Sequence, residues 1–266
     1  MINMHSKIAN ILILLLLSSL LSACGGESRT SVVAAGSTSV QPYVEYLAEE
    51  YEKLHPERHI EVQGGGSGVG INAVESEVAD IGMLSRSLKE SEKHLWSVEI
   101  AKDGLAIIIH PENPVSDLTH EQICAIYAAE ITNWNELGGN DAKIHVMTRE
   151  EGSGTRSQFS DLVMGGTRIT PKAIVQNSNG AIKQLVAGDI NSIGFISLGV
   201  VDQSVKAIKI DGIDATPENV RNETYTLFRA FIFVAQNEPD GSIKDFINFV
   251  LSDHGKQLLI KEGLIP

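Results

Sequence analysis

Residues 149–156, which read REEGSGTR, combine two guanidinium groups, two hydroxyls and two glycines within eight positions. Arg149 offers a planar fork of hydrogen-bond donors that suits a tetrahedral oxyanion. Gly152 and Gly154 permit the close approach of backbone N–H groups that an anion needs, and apolar residues at helical spacing follow them. The stretch therefore predicts an anion site at a helix start, where the helix carries partial positive charge. A capped surface helix is the alternative, because Ser and Thr are favoured N-caps.

Three other turns of similar composition lie between a predicted strand and a predicted helix. The first, GSTS at 36–39, follows an apolar run at 31–35 and precedes a helix that Pro42 opens. The second is GGGSGVG at 64–70, and the third is NSNG at 177–180. This order of strand, turn and helix places a ligand at the carboxyl ends of strands. Nucleotide hydrolysis is discounted for the second turn, because it lacks the Gly-Lys-Ser/Thr ending of a P-loop.

The strands and helices predicted around these turns decide where the turns lie in the fold. Residues 80–84 are predicted as a strand, residues 88–101 as a helix with solvated charges, and residues 105–109 as a buried parallel strand. The sequence HPENP at 110–114 predicts a hinge, since two prolines so close to a buried strand mark a crossover. Asn179 is interpreted as the N-cap of the helix that follows the third turn.

The remaining sequence continues the alternation of strand and helix. Strands are predicted at 143–148, 173–175, 193–197, 205–208 and 226–234, and helical patterns lie at 119–129, 243–250 and 255–260. Trp134 is expected to pack under its loop. Because the last strand returns the chain to its beginning, we expect an α/β protein of two lobes, 31–110 plus 225–266 and 111–224. The ligand would bind in the cleft between them.

The N-terminal sequence indicates export from the cytoplasm. A lysine precedes an apolar run at 8–17, which is too short to span a bilayer but suits a signal peptide. The run ends in LSAC at 21–24, which resembles the lipobox of bacterial lipoproteins. The resemblance implies that residues 1–23 are a signal peptide and that Cys24 carries a lipid anchor. Residues 24–30 then form a flexible tether.

The charge of the chain limits its partners. The formal net charge is −13, and it becomes −14 once residues 1–23, which carry Lys7 and no other charged side chain, are removed. An acidic surface argues against nucleic acid and anionic lipid as partners. Any anion site must then depend on short-range donors. This is feasible because salt at 0.1 M screens the repulsion from surface carboxylates beyond about 10 Å. Cys124 has no partner if Cys24 is lipidated, so we expect it to be a small buried hydrophobe.

A resemblance to a known family rests on seven strings, which are GSTS, GGGSG, DIGMLSR, HPENPV, ITNWNELGG, REEGSGTR and SIGFIS. Across residues 31–266 the sequence resembles the phosphate-binding proteins of bacterial Pst-type ABC transporters. The resemblance implies a two-lobed type II periplasmic-binding fold that closes on inorganic phosphate and presents it to membrane permease subunits. We expect a monomer without a cofactor, held on the outer side of the bacterial membrane.

The resemblance also implies which residues donate hydrogen bonds to phosphate. They are Thr38 and Ser39 from the first turn, Ser67 from the second, and Arg149, Ser153, Gly154 and Thr155 from the segment 149–156, with Ser37 and Arg86 as further candidates. In long-studied members of the family an Asp that accepts the proton of phosphate occupies the position of Ser85. We hypothesise that Ser85 hydrogen-bonds the ligand and that Glu150 or Glu151 supplies the missing acceptor. Both glutamates are otherwise solvated loop charges.

The serine at position 85, where long-studied members of the family have Asp, affects the selectivity between phosphate and sulfate. Phosphate keeps at least one proton at neutral pH and sulfate keeps none, so a buried carboxylate accepts from phosphate and repels sulfate. A serine both donates and accepts, so it tolerates either anion.

The alternatives are a different ligand or a different class of protein. A phosphatase or other hydrolase would need a base beside its nucleophile or a metal cluster. None of the eight histidines in the sequence lies beside a Gly-Ser turn or at metal-ligand spacing, so we expect neither catalysis nor a metal site. A receptor for sulfate, molybdate or another oxyanion, and a surface phosphate sensor, remain as alternatives.

Overall fold

The structure, a computed structural model, describes residues 31–266, within which the chain forms eleven strands and eight α-helices. The strands are β1 (Ser31–Gly36), β2 (His59–Gly64), β3 (Ile81–Leu84), β4 (Trp96–Ile109), β5 (Asp117–Leu118), β6 (His145–Arg149), β7 (Ile174–Gln176), β8 (Ser192–Ser197), β9 (Lys206–Ala207), β10 (Lys209–Ile210) and β11 (Phe228–Ala235). The helices are α1 (Gln41–Leu54), α2 (Ser67–Glu75), α3 (His120–Ala128), α4 (Gly154–Phe159), α5 (Asn179–Ala187), α6 (Pro217–Arg221), α7 (Gly241–Leu251) and α8 (Asp253–Lys261). The predicted signal peptide, lipidated Cys24 and tether lie outside the described residues.

One sheet runs through the molecule in the order β2-β1-β3-β11-β4-β8-β6-β7, and β9 pairs with β4 beside this path. The strands β1, β2 and β3 are mutually parallel at one end, and β6, β7 and β8 are parallel at the other. The two groups are joined by β4 and β11, which run antiparallel to each other and to their neighbours. The sheet therefore consists of two parallel halves with an antiparallel connection.

Each half has its own hydrophobic core. In the first, α1 packs the apolar face of Val44 and Leu47 against the sheet, and Phe246 of α7 joins them. Pro42 occupies the first turn of α1, where a missing N–H costs nothing. The second core contains Phe159 and Phe195, whose rings stack with centroids 4.2 Å apart. The molecule is thus an α/β protein of two lobes, which we call the first and second lobe after these cores.

Trp134 packs as predicted and is buried in the second core, where its indole N–H donates to the Asn191 carbonyl at 2.9 Å. Cys124 is a free thiol that is only partly buried beside the same core. Among the described residues, no helix is both long and apolar enough to cross a membrane.

The helix predicted at 88–101 is wrong. That segment contains one short 3-10 turn, Glu90–Glu92, and then enters β4 at Trp96. Spacing of apolar residues by three favoured a helix, but Trp96, Val98 and Ile100 also alternate as a strand requires. The partner strand β11 lies about 130 residues later in the sequence, and pairing with it decides the conformation.

The parallel direction predicted for residues 105–109 is also wrong. They are the second half of β4 and pair antiparallel with β8. Both faces of this segment are buried, as the continuous apolar run indicated, but burial is the same for either strand direction. Because Ile100 lies in the first core and Ile107 in the second, β4 serves both lobes. The residue boundaries of the lobes stay a prediction.

Candidate functional site

Three turns of the first lobe bring their hydroxyl groups together. Ser37 and Ser39 follow β1, Ser67 begins α2, and Ser85 follows β3, and each is at most 2% exposed. Because β1 and β3 are parallel neighbours, their carboxyl ends meet. The Ser37 hydroxyl donates to Ser85 Oγ at 2.8 Å, and the Ser85 N–H donates to Ser67 Oγ at 3.1 Å. The turns thus form one buried hydroxyl cluster.

The loop between β6 and α4 supplies the facing part of the second lobe. Ser153 caps α4 by accepting from the Arg156 N–H at 3.2 Å, so the capping interpretation of this stretch holds for Ser153. Gly154 and Thr155 form the first turn of the helix, and all three residues from 153 to 155 are buried. The start of α4 is therefore held inside the molecule, where the partial positive charge of a helix start favours an anion.

Arg149 is the cation of the site and is only 1% exposed. Its Nε and Nη2 donate to the two carboxylate oxygens of Glu150, both at 2.9 Å. Nη2 also donates to Thr38 Oγ1 and to the Asn177 carbonyl, each at 3.1 Å, and Nη1 lies 3.4 Å from Asn179 Oδ1. Because Thr38 belongs to the first lobe, this guanidinium joins the two lobes.

Further contacts close the space between the lobes. Ser39 Oγ and Thr155 Oγ1 share a hydrogen bond of 2.8 Å. Gly154 lies so near the opposite lobe that a Cβ atom there would be 2.1 Å from Ser67 Oγ and 2.7 Å from Ser85 Oγ. The absence of a side chain at this position lets the α4 turn approach the serines of the first lobe.

The chemistry of this arrangement is that of an oxyanion receptor. It offers hydroxyls, helix-start N–H groups and one guanidinium, all shielded from water, where each hydrogen bond to an anion is strong. Among the described residues, no group of three or more His, Cys, Asp or Glu side chains is arranged to hold a metal ion.

Arg86, which the sequence offered as a further candidate, points elsewhere. Its Nη1 and Nη2 donate to the two carboxylate oxygens of Glu92 at 2.7 and 2.8 Å. Burial would raise the pKa of Glu92, but hydrogen bonds from Arg86 and from the Lys89 N–H outweigh burial and lower that pKa. Arg86 and Glu92 therefore form a buried pair apart from the hydroxyl cluster, and we leave Arg86 out of the site.

The two glutamates of the segment 149–156, Glu150 and Glu151, differ in their surroundings. Both oxygens of Glu150 accept from Arg149. The Glu151 side chain is 93% exposed and comes no nearer than 3.9 Å to Arg156 Nη2. Glu151 is thus a solvated charge, and Glu150 is an orienting partner of Arg149.

Asn179 is a site residue that sequence reasoning missed. The N-cap of α5 is Ser178, whose hydroxyl accepts from the Ala181 N–H at 3.1 Å, so the capping role predicted for Asn179 is wrong. The Asn179 side chain is 3% exposed and donates through Nδ2 to Ser39 Oγ at 2.8 Å. The signal was present, because NSNG is a polar turn between strand and helix like the other three.

A buried ion pair lies where the lobes connect. Asp103 of β4 and Arg229 of β11 are cross-strand neighbours, and Arg229 Nε and Nη2 donate to Asp103 Oδ2 at 3.1 and 2.9 Å. Ser197 of β8 donates to Asp103 Oδ1 at 2.8 Å. Burial raises the pKa of Asp103, and the Arg229 guanidinium opposes that rise. The pair ties both connecting strands to the second lobe.

Comparison with known proteins gives a consistent family. Residues 22–254 match the family model PBP_like_2, described as a PBP superfamily domain. The phosphate-binding protein PstS of Bacillus subtilis is 31% identical over 252 residues, which cover 92% of this chain and 84% of that protein. PstS of Borreliella burgdorferi is also 31% identical, over 96% of this chain and 97% of its own length.

Solved structures agree. A phosphate-bound protein from Clostridium perfringens, described as a phosphate ABC transporter substrate-binding protein, is 48% identical with a TM-score of 0.86 and covers 88% of this chain and 98% of its own. An ABC-type phosphate transport receptor from Vibrio cholerae is 44% identical with a TM-score of 0.74, covering 88% and 99%. The expected two-lobed binding-protein fold is confirmed.

Proposed function

This chain belongs to the phosphate-binding proteins of the PBP superfamily, and on that basis we propose that it captures inorganic phosphate and delivers it to an ABC transporter permease. The observation that carries the proposal is the buried Arg149, whose guanidinium donates to Thr38 of the opposite lobe, between Ser37 and Ser39 of the hydroxyl cluster. A permanent cation buried at 1% exposure is costly unless anionic or polar groups compensate it. Here the Glu150 carboxylate compensates the charge, and the neighbouring hydroxyls of Thr38 and Ser39 are groups that suit a tetrahedral anion.

We propose that phosphate is bound by residues of both lobes. They are Thr38, Ser39, Ser67 and Ser85 of the first lobe and Arg149, Ser153, Gly154 and Thr155 of the second, with Ser37 supporting Ser85 through its hydroxyl. Hydrogen bonds to a charged group contribute roughly 1.5 to 3 kcal/mol each. Seven or eight of them outweigh desolvation and ordering and leave the roughly 8 kcal/mol of micromolar binding. The lobes would follow the predicted boundaries, 31–110 plus 225–266 and 111–224, except that Leu105, Ile107 and Ile109 of β4 already lie in the second core.

Selectivity between phosphate and other oxyanions would depend on neutral acceptors. Glu150 is the carboxylate beside the site, and Arg149 already donates one hydrogen bond to each of its oxygens, which weakens it as an acceptor for the proton of phosphate. The proton of phosphate would then go to a serine oxygen such as Ser85 Oγ, which also tolerates sulfate. A receptor for sulfate or molybdate, or a surface phosphate sensor, is the alternative that this chemistry leaves open.

The family is one of extracytoplasmic solute-binding proteins rather than enzymes. We propose further that Cys24 is lipidated after removal of residues 1–23. The protein would then be a monomer anchored by lipid on the outer side of the membrane, with permease subunits as its partners. Catalysis of phosphate-ester hydrolysis is not proposed, because the buried serines have hydroxyl or amide partners and no histidine base among the contacts described above.

The test is calorimetric titration of the ligand-stripped chain beginning at Gly25 with phosphate, sulfate, molybdate and a phosphate monoester. Tight phosphate binding is expected, and replacing Arg149 by Ala should weaken it by at least tenfold, because a charged hydrogen-bond donor is lost. Preference for another oxyanion would keep the fold and overturn the ligand. Unchanged affinity in the Arg149→Ala variant would place the site elsewhere.

A further inference from the structure

We infer that Asn179 is a positioning residue of the anion site, because its amide fixes how Ser39 and Arg149 present their donors to the ligand. This inference rests on the proposed function and adds a residue to it. The Asn179 side chain is 3% exposed, so the amide is desolvated and its hydrogen bonds go to two of the proposed phosphate ligands. Those ligands come from different lobes, Ser39 from the first and Arg149 from the second.

The orientation of the amide follows from its neighbours. A guanidinium carries only donors, so the amide atom that faces Arg149 Nη1 at 3.4 Å has to be Oδ1. The other end of the amide is then Nδ2, which donates to Ser39 Oγ at 2.8 Å. In this orientation Asn179 does not accept the hydroxyl hydrogen of Ser39.

The consequence concerns the single hydrogen of the Ser39 hydroxyl. A hydroxyl has one hydrogen and two acceptor positions, and Asn179 occupies one of the acceptor positions. The hydrogen is left for Thr155 Oγ1, 2.8 Å away, or for a ligand. A bound oxyanion is the stronger acceptor and takes that hydrogen. Asn179 thus makes Ser39 a donor toward phosphate.

The same amide steadies the guanidinium. Glu150 holds the Nε and Nη2 edge of Arg149, and Asn179 Oδ1 faces Nη1. Helix capping does not account for the burial of Asn179, because Ser178 performs it. A neutral amide suits this position, since it accepts from Arg149 without adding a negative charge near the anion.

Two substitutions separate this role from a structural one. Asn179→Ala removes the donor to Ser39, and we expect phosphate affinity to fall at least tenfold. Asn179→Asp keeps the shape of the side chain but lets a carboxylate accept the Ser39 hydrogen and repel the anion. We expect its affinity to fall at least a hundredfold. A purely structural role predicts the reverse order, because Asp can still pair with Arg149 whereas Ala leaves a gap.

Phosphate affinity would be measured by calorimetry at pH 7 on the chain beginning at Gly25, and folding by thermal unfolding without phosphate. Two neighbouring variants serve as controls. Ser178→Ala removes the cap and should lower the melting temperature while keeping affinity within about threefold. Gly180→Ala should leave phosphate affinity unchanged and should not lower the melting temperature, since a Cβ there meets only Ser178 Oγ at 4.0 Å.

Phosphate affinity should decrease from the wild type to Asn179→Ala and again to Asn179→Asp. The melting temperature of the Asn179→Asp variant should be no lower than that of the Asn179→Ala variant. Wild-type affinity in the Ala variant would overturn the inference, and so would an Asp variant that binds as tightly as Ala. If the wild-type chain itself does not bind phosphate, the proposed function fails together with the inference. If the wild-type chain binds phosphate but the variants do not follow the expected order, only the inference about Asn179 fails.

Discussion

Replacing Gly154 by Ala would press a methyl group against the serines of the opposite lobe. A Cβ atom at this position lies 2.1 Å from Ser67 Oγ, 3.0 Å from Ser67 Cβ and 2.7 Å from Ser85 Oγ. Ordinary contacts between such atoms are about 3.5 Å, so the loop has to retreat by about 1 Å or both hydroxyls have to rotate. Either response disturbs the proposed phosphate contacts of both lobes.

The magnitude follows from the contacts at risk. Losing one hydrogen bond to a charged ligand costs about 1.5 to 3 kcal/mol, which corresponds to a fall in phosphate affinity of about tenfold to about 150-fold. Folding should not suffer, because Gly154 lies in the first turn of α4 and Ala is favoured over Gly in a helix by up to about 1 kcal/mol. A site variant that keeps its stability and loses affinity is the expected result.

The assay is calorimetric titration with phosphate together with thermal unfolding in its absence. Gly152→Ala is the matched control in the same loop, because a Cβ at that position has no neighbour within 4 Å among the described residues. We expect the control to bind phosphate like the wild type. If Gly154→Ala also bound like the wild type, the α4 turn would not face Ser67 and Ser85 in the phosphate-bound protein, and the proposed site would be refuted.

Two further predictions concern buried ion pairs. Asp103→Asn should lower the free energy of unfolding in urea by about 3–5 kcal/mol, because it leaves the Arg229 charge buried without its counter-charge. A loss below about 1 kcal/mol would contradict this. Glu92→Gln should cost about 3 kcal/mol at pH 7 by leaving Arg86 unpaired. The pKa of Glu92 is lowered in the folded protein, so this stabilisation is present above the unfolded value of about 4.3 and is lost as pH falls through the folded value. The difference between wild type and variant in unfolding free energy should therefore shrink on acidification from pH 7 to pH 3, and a constant difference would contradict the assignment.

The turns could be predicted because their composition is local. Gly and hydroxyl residues between an apolar run and a helical pattern, as at 36–39 and 64–70, give strand, turn and helix without reference to the rest of the chain. The helix start at 149–156 was predicted for the same reason, and Ser153 is buried there as the cap of α4. These features depend on backbone requirements within a few residues.

The errors lie where distant residues decide. Residues 96–101 became a strand because β11 pairs with them, and no local signal in a charged segment announces a partner so far along the chain. Strand direction at 105–109 was mistaken because an apolar run reports burial and not the direction of its neighbours. Asn179 was assigned to capping because its role depends on Ser39, 140 residues away in the sequence, which folding brings within hydrogen-bond distance.

The charge of the molecule explains why the orientation of the Ser39 and Arg149 side chains matters. The chain is acidic, with a formal charge of −13, and Arg149 of the site is paired with the carboxylate of Glu150. An anion entering the site therefore meets little net positive charge, and attraction has to come from dipoles within hydrogen-bond distance. Dipoles attract only when their hydrogens point at the ligand, so binding depends on the groups that orient Ser39 and Arg149. A site of this kind selects its ligand by the geometry of its donors, and Asn179 and Glu150 set that geometry.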